Sequence, residues 1–255
     1  MSKAGNIVIT VLIWLFVASA VVASIFCVRY YNRKTVNGVE VKVLVPEGKE
    51  MLTDSIIKDF ISNEINSVKS KKFSSVNDSL FTTKLMKIHS VKSVRVAPLV
   101  NGNILLSVEQ KDPVAKVNIK DKNNLYMTLE GDIFYSDRYD GSCKLLTVNG
   151  LKELDINKHS SRIENLSAVV SYILNEKKHF LYNITEAVSV VGKDEVIELQ
   201  SKYGVKRIII GTPENLETKS FNLRMFCEAM HERDLSAYEA LNLNFENQVI
   251  AITKN

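Results

Sequence analysis

Residues 7–28 form an unbroken run of 22 residues without one charged side chain. As an α-helix rising about 1.5 Å per residue the run is roughly 33 Å long, enough to cross a hydrocarbon core of about 30 Å. No second stretch of this kind follows. The run predicts a transmembrane helix over residues 7–28, a short tail at 1–6, and a polar connector at 29–38 leading into one extramembrane body. Tyr30 and Tyr31 fall at its C-terminal edge, where aromatic rings favour the headgroup layer. The competing reading is a cleaved secretion signal, with Ala18-Ser19-Ala20 as the small-residue site. The apolar run continues through Val21–Val28, longer than a signal needs, so an uncleaved anchor is the expectation. Lys3 precedes the run, whereas Arg29, Arg33 and Lys34 follow it. Taken alone, the positive-inside rule then puts the body in the cytoplasm.

Charge is concentrated at this flank. The chain has 33 basic and 29 acidic side chains, and its first 34 residues hold four of the bases and no acid. The body therefore carries 29 of each and no net charge. A protein that grips nucleic acid needs a basic surface to displace counterions from phosphates, so no nucleic-acid partner is expected. Three cysteines (Cys27, Cys143 and Cys227) are too few for a disulfide scaffold. Cys143 and Cys227 have the option of pairing outside the cytoplasm, but Cys227 sits on an apolar helical stripe and is expected as a buried free thiol.

After the connector the pattern reads strand, helix, helix, strand, strand. Val39, Val41, Val43 and Val45 alternate, the period of a strand. Thr53 or Asp54 is placed to cap a helix carrying Ile57, Phe60, Ile61 and Ile65. Residues 66–76 read as a polar loop with Lys69, Lys71 and Lys72 beside Phe73, a solvated segment or a patch facing lipid. Asn77 is placed to cap a helix with Phe81, Leu85 and Ile88 on one side. Val94, Val96 and Val100 lead into Asn101-Gly102, and Ile104, Leu106 and Val108 follow. That pattern predicts a hairpin whose two turn residues both take positive φ. Pro98 predicts a sheet edge or a bulge.

From Val114 the texture changes. Strands are predicted at Val114–Ile119, Leu125–Leu129, Ile133–Tyr135, Lys144–Val148, Ile184–Val191, Glu195–Ser201 and Val205–Ile210. A helix is predicted at about 160–177, with Ser161 and Glu164 as a capping box and Ile163, Leu166, Val169, Val170, Ile173 and Leu174 as its apolar stripe. A second helix is predicted to start at Pro213, with Leu216, Leu223, Phe226, Cys227 and Met230 inward. Tyr238–Phe245 and Gln248–Ile252 form a closing hairpin.

A search for catalytic chemistry returns little. The chain has no G-x-S-x-G, P-loop or G-x-G-x-x-G signature. His231-Glu232 begins like a zinc-protease helix, but Leu235 stands where the second histidine belongs. His89, His159, His179 and His231 show no ligand spacing. Asp137 and Asp140, around Arg138 and Gly141, read as a solvated turn. No catalytic residue, metal, cofactor or small-molecule substrate is predicted.

The order of these blocks resembles the FtsQ/DivIB family of bacterial cell-division proteins over nearly the whole chain. The block at 39–111 looks like that family's βααββ POTRA domain. Glu109-Gln110-Lys111-Asp112-Pro113-Val114-Ala115 looks like its E-R-x-P-V-A junction, with Gln110 for the arginine and Asp112 extra or shifted. Tyr126–Phe134 resembles the Y-x-x-D-x-x-G-x-x-F strand turn, with Glu130 near Gly131 in place of the aspartate. Leu241–Val249 is similar to the closing L-x-L-x-F/Y-x-x-Q-V hairpin. The resemblance implies an α+β chain with a single N-terminal transmembrane helix, a POTRA-like domain at 39–111 and a mixed α/β "beta" domain at 112–255 ending in a β-hairpin.

It further implies a cytoplasmic N-terminus, against the flanking charge, and a periplasmic or extracytoplasmic body at the division septum. The implied role is a non-catalytic scaffold. It would link the bitopic partners FtsB and FtsL, and through them the synthase FtsW/FtsI, to septal peptidoglycan synthesis. A partner segment adds as a strand at the last sheet edge, which makes Phe245, Asn247, Gln248, Val249, Ile250, Ala251 and Ile252 the expected binding residues. The alternative for Phe245, Val249 and Ala251 is packing in the core. Three rival functions stay open on sequence: another POTRA-bearing envelope assembly or secretion protein, an anchored enzyme, and a single-pass receptor with a cytoplasmic body.

Overall fold

The computed structural model describes residues 3–254 except 140, 142, 157–159, 176–179, 203, 231–234 and 246. Asp140, His159, His179, His231 and Glu232 thus lie outside the described residues. The chain divides into two compact units, Met1–Leu44 with Leu52–Gln110, and Val45–Met51 with Lys111–Asn255. The segment Val45–Met51 therefore belongs with the second unit, although it precedes the residues that complete the first.

The first unit opens with helix α1 (Lys3–Arg33). Its segment Leu12–Tyr30 has a mean hydropathy of 2.2 and is the one stretch among the described residues long and apolar enough to cross a membrane. The helix runs five residues past Val28, so the expected connector begins as helix. Strand β1 (Gly38–Leu44) follows, then α2 (Asp54–Phe60) and α3 (Ser62–Val68), α4 (Asp78–Leu85), β2 (Val91–Pro98) and β3 (Asn103–Gln110).

The expected caps form. Thr53 Oγ1 accepts from the Ile56 amide at 3.3 Å and Asn77 Oδ1 from the Ser79 amide at 3.0 Å. The expected helix is broken at Ile61, which ends α2 in a non-helical conformation, and α3 reaches Val68, inside what the polar composition marked as loop. The three strands lie in the order β1-β3-β2, with β1 parallel and β2 antiparallel to β3.

As central strand, β3 alternates strictly, with Ile104, Leu106, Val108 and Gln110 buried. These apolar residues pack with Val41, Ile57, Ile61, Phe81 and Leu85. Gln110 Oε1 accepts from the Leu52 amide at 2.9 Å, which satisfies a polar group that would otherwise be costly to bury.

Pro98 ends an edge strand, as its missing donor requires. The hairpin itself differs from expectation. Gly102 has φ +88 but Asn101 is not in the left-handed region. The Gly102 amide bonds to Leu99 O at 3.1 Å and the Leu99 amide to Asn103 O at 2.8 Å. This is a three-residue loop with a glycine bulge. Asn101 uses its side chain instead, with Oδ1 accepting from the Asn103 amide at 2.9 Å.

Carboxylates tie this unit together. Glu40 accepts from the side-chain NH2 groups of Asn103 and Asn101, Glu64 from the Lys84 ammonium at 2.7 Å, and Glu109 from the Ser93 hydroxyl at 2.8 Å with Lys92 nearby. Each bond favours the ionised form and holds its carboxyl below the ordinary value of 4.5. A depressed folded-state pKa contributes stability that is present above the unfolded value and lost as pH falls through the folded one. Amide protection in β3 of the intact chain is therefore expected to weaken as pH drops below about 4.5. The double variant Glu64→Gln, Glu109→Gln should flatten that slope. Hydrogen exchange against pH reads it, and an unchanged slope would refute the assignment.

The second unit is built on β4 (Ala115–Ile119), β5 (Lys122–Met127), β6 (Ile133–Tyr135) and β7 (Leu146–Asn149). Helices α5 (Glu153–Ile156), α6 (Ser161–Asn175) and α7 (Phe180–Ile184) follow. Then come β8 (Thr185–Val191), β9 (Val196–Ser201), β10 (Arg207–Gly211), α8 (Leu216–Ala229), β11 (Tyr238–Asn242) and β12 (Ile250–Thr253). One nine-stranded sheet has the order β12-β11-β10-β9-β8-β7-β4-β5-β6. Its core joins the α6 stripe Ile163, Leu166, Val169, Val170 and Ile173 to Val148, Val188, Leu199, Ile210 and Leu223. A smaller cluster holds Met51, Tyr126 and Phe134, with Tyr126 opposite Phe134 in the β5–β6 register.

Two expected helix starts are corrected. The Ser161 hydroxyl donates to Glu195 at 2.8 Å and does not cap; the Ser160 carbonyl receives the Ile163 and Glu164 amides. Helix α8 starts at Leu216, after Asn215 at φ +52, three residues beyond Pro213. Ile184 ends a helix and does not open the strand. Cys143 and Cys227 are both free, and burial raises the Cys227 thiol above its ordinary pKa.

Candidate functional site

The closing hairpin is shorter than the sequence pattern suggests. β11 stops at Asn242 and β12 starts at Ile250, so Phe245, Asn247, Gln248 and Val249 belong to a loop. The reason is local. Asn242 Oδ1 accepts from the Asn244 amide at 2.9 Å, a side-chain turn that competes with the ladder. Asn247, in the same connection, takes the left-handed φ of +57.

β12 is an edge strand. It pairs antiparallel with β11, Asn242 opposite Ile250, Leu241 opposite Ala251 and Ala240 opposite Ile252. Which of its amides are used can be worked out. β11 runs parallel to β10, and the amide of Leu243, just past β11, donates to Ile209 O at 2.8 Å. Backbone groups alternate sides along a strand, so those of Leu241 also face β10 and those of Ala240 and Asn242 face β12. Ile250 and Ile252 therefore bond inward, while the N–H and C=O of Ala251 and Thr253 point away from the sheet. Thr253 was missed by sequence reasoning, which ended the strand one residue earlier.

Side chains follow the opposite alternation to the core. Val249 and Ala251 are partly buried against it, whereas Ile250 and Ile252 are 40 % and 39 % exposed. Asn247 and Gln248 are exposed. Phe245 is 47 % exposed and borders a polar cleft of about 380 Å³ that Thr218, Lys219, Asn222, Asn244 and Asn247 also line. The Lys219 ammonium donates to Ile210 O and Thr212 O, both at 2.9 Å, and burial lowers its pKa. The site thus offers unpaired main chain flanked by exposed apolar side chains.

Among the described residues nothing comparable assembles around the remaining candidates. His89 is exposed, and Asp137 pairs with Arg138 at 3.7 Å in an exposed loop. Among the described residues no group of three or more His, Cys, Asp or Glu side chains is placed to hold a metal ion. A cleft of about 290 Å³ in the second unit is lined by the Lys49–Asp112 ion pair, Cys143, Tyr182 and Lys202, with Leu129, Leu146 and Leu174.

No curated protein matches the chain. A family model described as "FtsQ/DivIB, C-terminal related" matches residues 112–252, more than half of the chain and nearly all of the second unit. By that match the chain belongs to the FtsQ/DivIB family of cell-division proteins, a family without enzymatic activity.

Proposed function

We propose that this protein is a single-pass membrane scaffold of the bacterial division machinery that captures FtsB-like and FtsL-like bitopic partners by strand addition to β12, and through them links to FtsW/FtsI at the septum. The observation that carries the reading is the free edge: β12 is terminal in the sheet, and Ala251 and Thr253 turn their backbone groups outward in a chain of this family. An added strand satisfies those groups, and its alternate side chains read the exposed Ile250 and Ile252. Phe245, Asn247 and Gln248 in the loop extend the contact. On this reading the first unit is a POTRA domain, its strand, helices, strand, strand order supporting the assignment, and the body lies outside the cytoplasm. A reporter active only there, fused to Asn255, tests the topology.

Phe245 provides the simplest test of the binding surface. Half-exposed, it adds little to the fold, so Phe245→Ala is expected to shift stability by no more than about 0.5 kcal/mol. As an aromatic anchor at the edge it is expected to cost about 1–2 kcal/mol of partner affinity, or roughly tenfold or more. Titration of the full chain against the extracytoplasmic segment of the FtsB-like partner measures this. Unchanged affinity would remove Phe245 from the site.

A further inference from the structure

A second surface lies in the first unit, where the chain folds back onto the end of α1. The Phe73 amide donates to Lys34 O at 3.0 Å, Val36 N to Lys71 O at 2.8 Å, and Ser70 N to Val36 O at 3.0 Å. Thr35 and Lys72 form an antiparallel bridge, which sets them about 5 Å apart. Residues 70–73 are thereby fastened to residues 34–36, the first three after α1 ends at Arg33.

The fastened loop has a defined shape. The Lys71 amide bonds to Val68 O at 3.1 Å, Lys69 has φ −54 and ψ 135, and Ser70 has φ +66. These are the angles of a type II turn, with serine where glycine is usual. Val68 is buried on one side of it and Phe73 packs against the same core on the other. Between these anchors Lys69, Lys71 and Lys72 are exposed.

Residues 29–38 and 65–77 together hold six bases and no acid. Among the described residues, none of the three loop ammonium groups has a carboxylate partner within an ion pair. At the end of α1, Arg29 is exposed, and Lys34 stacks over the ring of the exposed Tyr30 at 4.9 Å. An aromatic with adjoining bases at the end of a membrane-length helix is the pattern of the headgroup layer.

We propose that Lys69, Lys71 and Lys72, with Arg29 and Lys34, form a basic collar that binds the headgroups of anionic phospholipids in the leaflet from which α1 emerges. The occupant follows from position. The loop is fastened to residues 34–36, the fourth to sixth after the apolar segment ends at Tyr30, roughly 6–9 Å along a helical rise and so comparable with the distance of about 8 Å over which a charged surface acts in physiological salt. The body as a whole is electrically balanced, so it has no broad field to gather a soluble polyanion. The collar rests on α1 crossing a membrane and is independent of the partner reading at β12. Its structural consequence is a first unit held at a fixed depth on the bilayer, by contacts additional to the single chain crossing.

The test uses the full chain reconstituted in phosphatidylcholine vesicles with a trace of spin-labelled phosphatidylglycerol, compared with spin-labelled phosphatidylcholine. The motionally restricted fraction of each label gives the relative association of the two lipids. The intact chain is expected to prefer phosphatidylglycerol. The triple variant Lys69→Gln, Lys71→Gln, Lys72→Gln is expected to lose that preference about fivefold or more. The triple Lys→Arg variant should keep it, and 0.5 M-range salt should weaken it in both charged forms. Circular dichroism of each variant verifies the fold. Equal preference in the intact and Gln chains would overturn the collar. Loss in the Gln and Arg variants alike would overturn the charge mechanism, and failure of the intact chain to insert would remove its premise.

Discussion

Ala251→Pro is expected to abolish most partner binding while leaving the protein folded. Proline lacks the N–H that Ala251 turns outward, and its ring occupies the path of an incoming strand. The β11–β12 ladder does not use that N–H, because its bonds run through Ile250 and Ile252. Proline is tolerated on edge strands for this reason. The expected loss is about 100-fold in affinity, combining a main-chain hydrogen bond of about 1–1.5 kcal/mol with the steric block. Ile252→Pro is the informative contrast. It removes an inward donor to Ala240 and should destabilise the hairpin itself, by about 1–3 kcal/mol. Binding titrations beside thermal unfolding separate the two. If Ala251→Pro binds normally, strand addition at β12 is wrong.

Gly150→Ala is expected to be among the most damaging single-methyl changes in the second unit. Gly150 follows β7 at φ +85, which costs an L residue about 1–2 kcal/mol. A Cβ there would lie 2.1 Å from the carbonyl oxygen of Val190 in β8. That neighbour is backbone in the sheet interior and cannot swing aside. Arg162 adds a constraint by donating to Gly150 O at 3.2 Å and Gly192 O at 3.0 Å. Relief requires prying β7 from β8, so the total is expected at about 3 kcal/mol or more. Gly192→Ala is the control. Its φ is +76 but no heavy atom lies nearer than 4.0 Å, so about 1–2 kcal/mol is expected from conformation alone. Urea unfolding followed by circular dichroism measures both. Equal costs would mean that the β7–β8 contact yields.

These two sites also show what a sequence can carry. The α6 stripe, the β2–β3 alternation, the Thr53 and Asn77 caps and the membrane-length helix are local patterns, and the sequence displays them. The order of the nine-stranded sheet is not local. β4, β7 and β8 pair in parallel across long connections, and hydrophobic periodicity says nothing of which strand lies beside which. Local polar chemistry misled in the same way. Ser161 and Glu164 have capping-box spacing, but Ser161 turns to Glu195, a residue 34 positions away. The run Leu241–Phe245 alternates like a strand, but the Asn242 side chain accepts from the Asn244 amide and the strand stops at Asn242. At the proposed binding edge, Phe245 and residues 247–252 were nameable as candidates through resemblance to the family. The outward aim of the Ala251 amide was not, because it depends on β11 lying parallel to β10, whose strands are about thirty residues apart in sequence.

The strand-addition account is tested most directly by hydrogen–deuterium exchange of the full chain, resolved to single amides, with and without the extracytoplasmic segment of the FtsB-like partner. The Ile250 and Ile252 amides already bond to β11 and should change little. The account predicts new protection at Ala251 and Thr253, alternating along β12 as a newly paired strand requires. Binding with no change at those two amides, and protection confined to another surface, would contradict it.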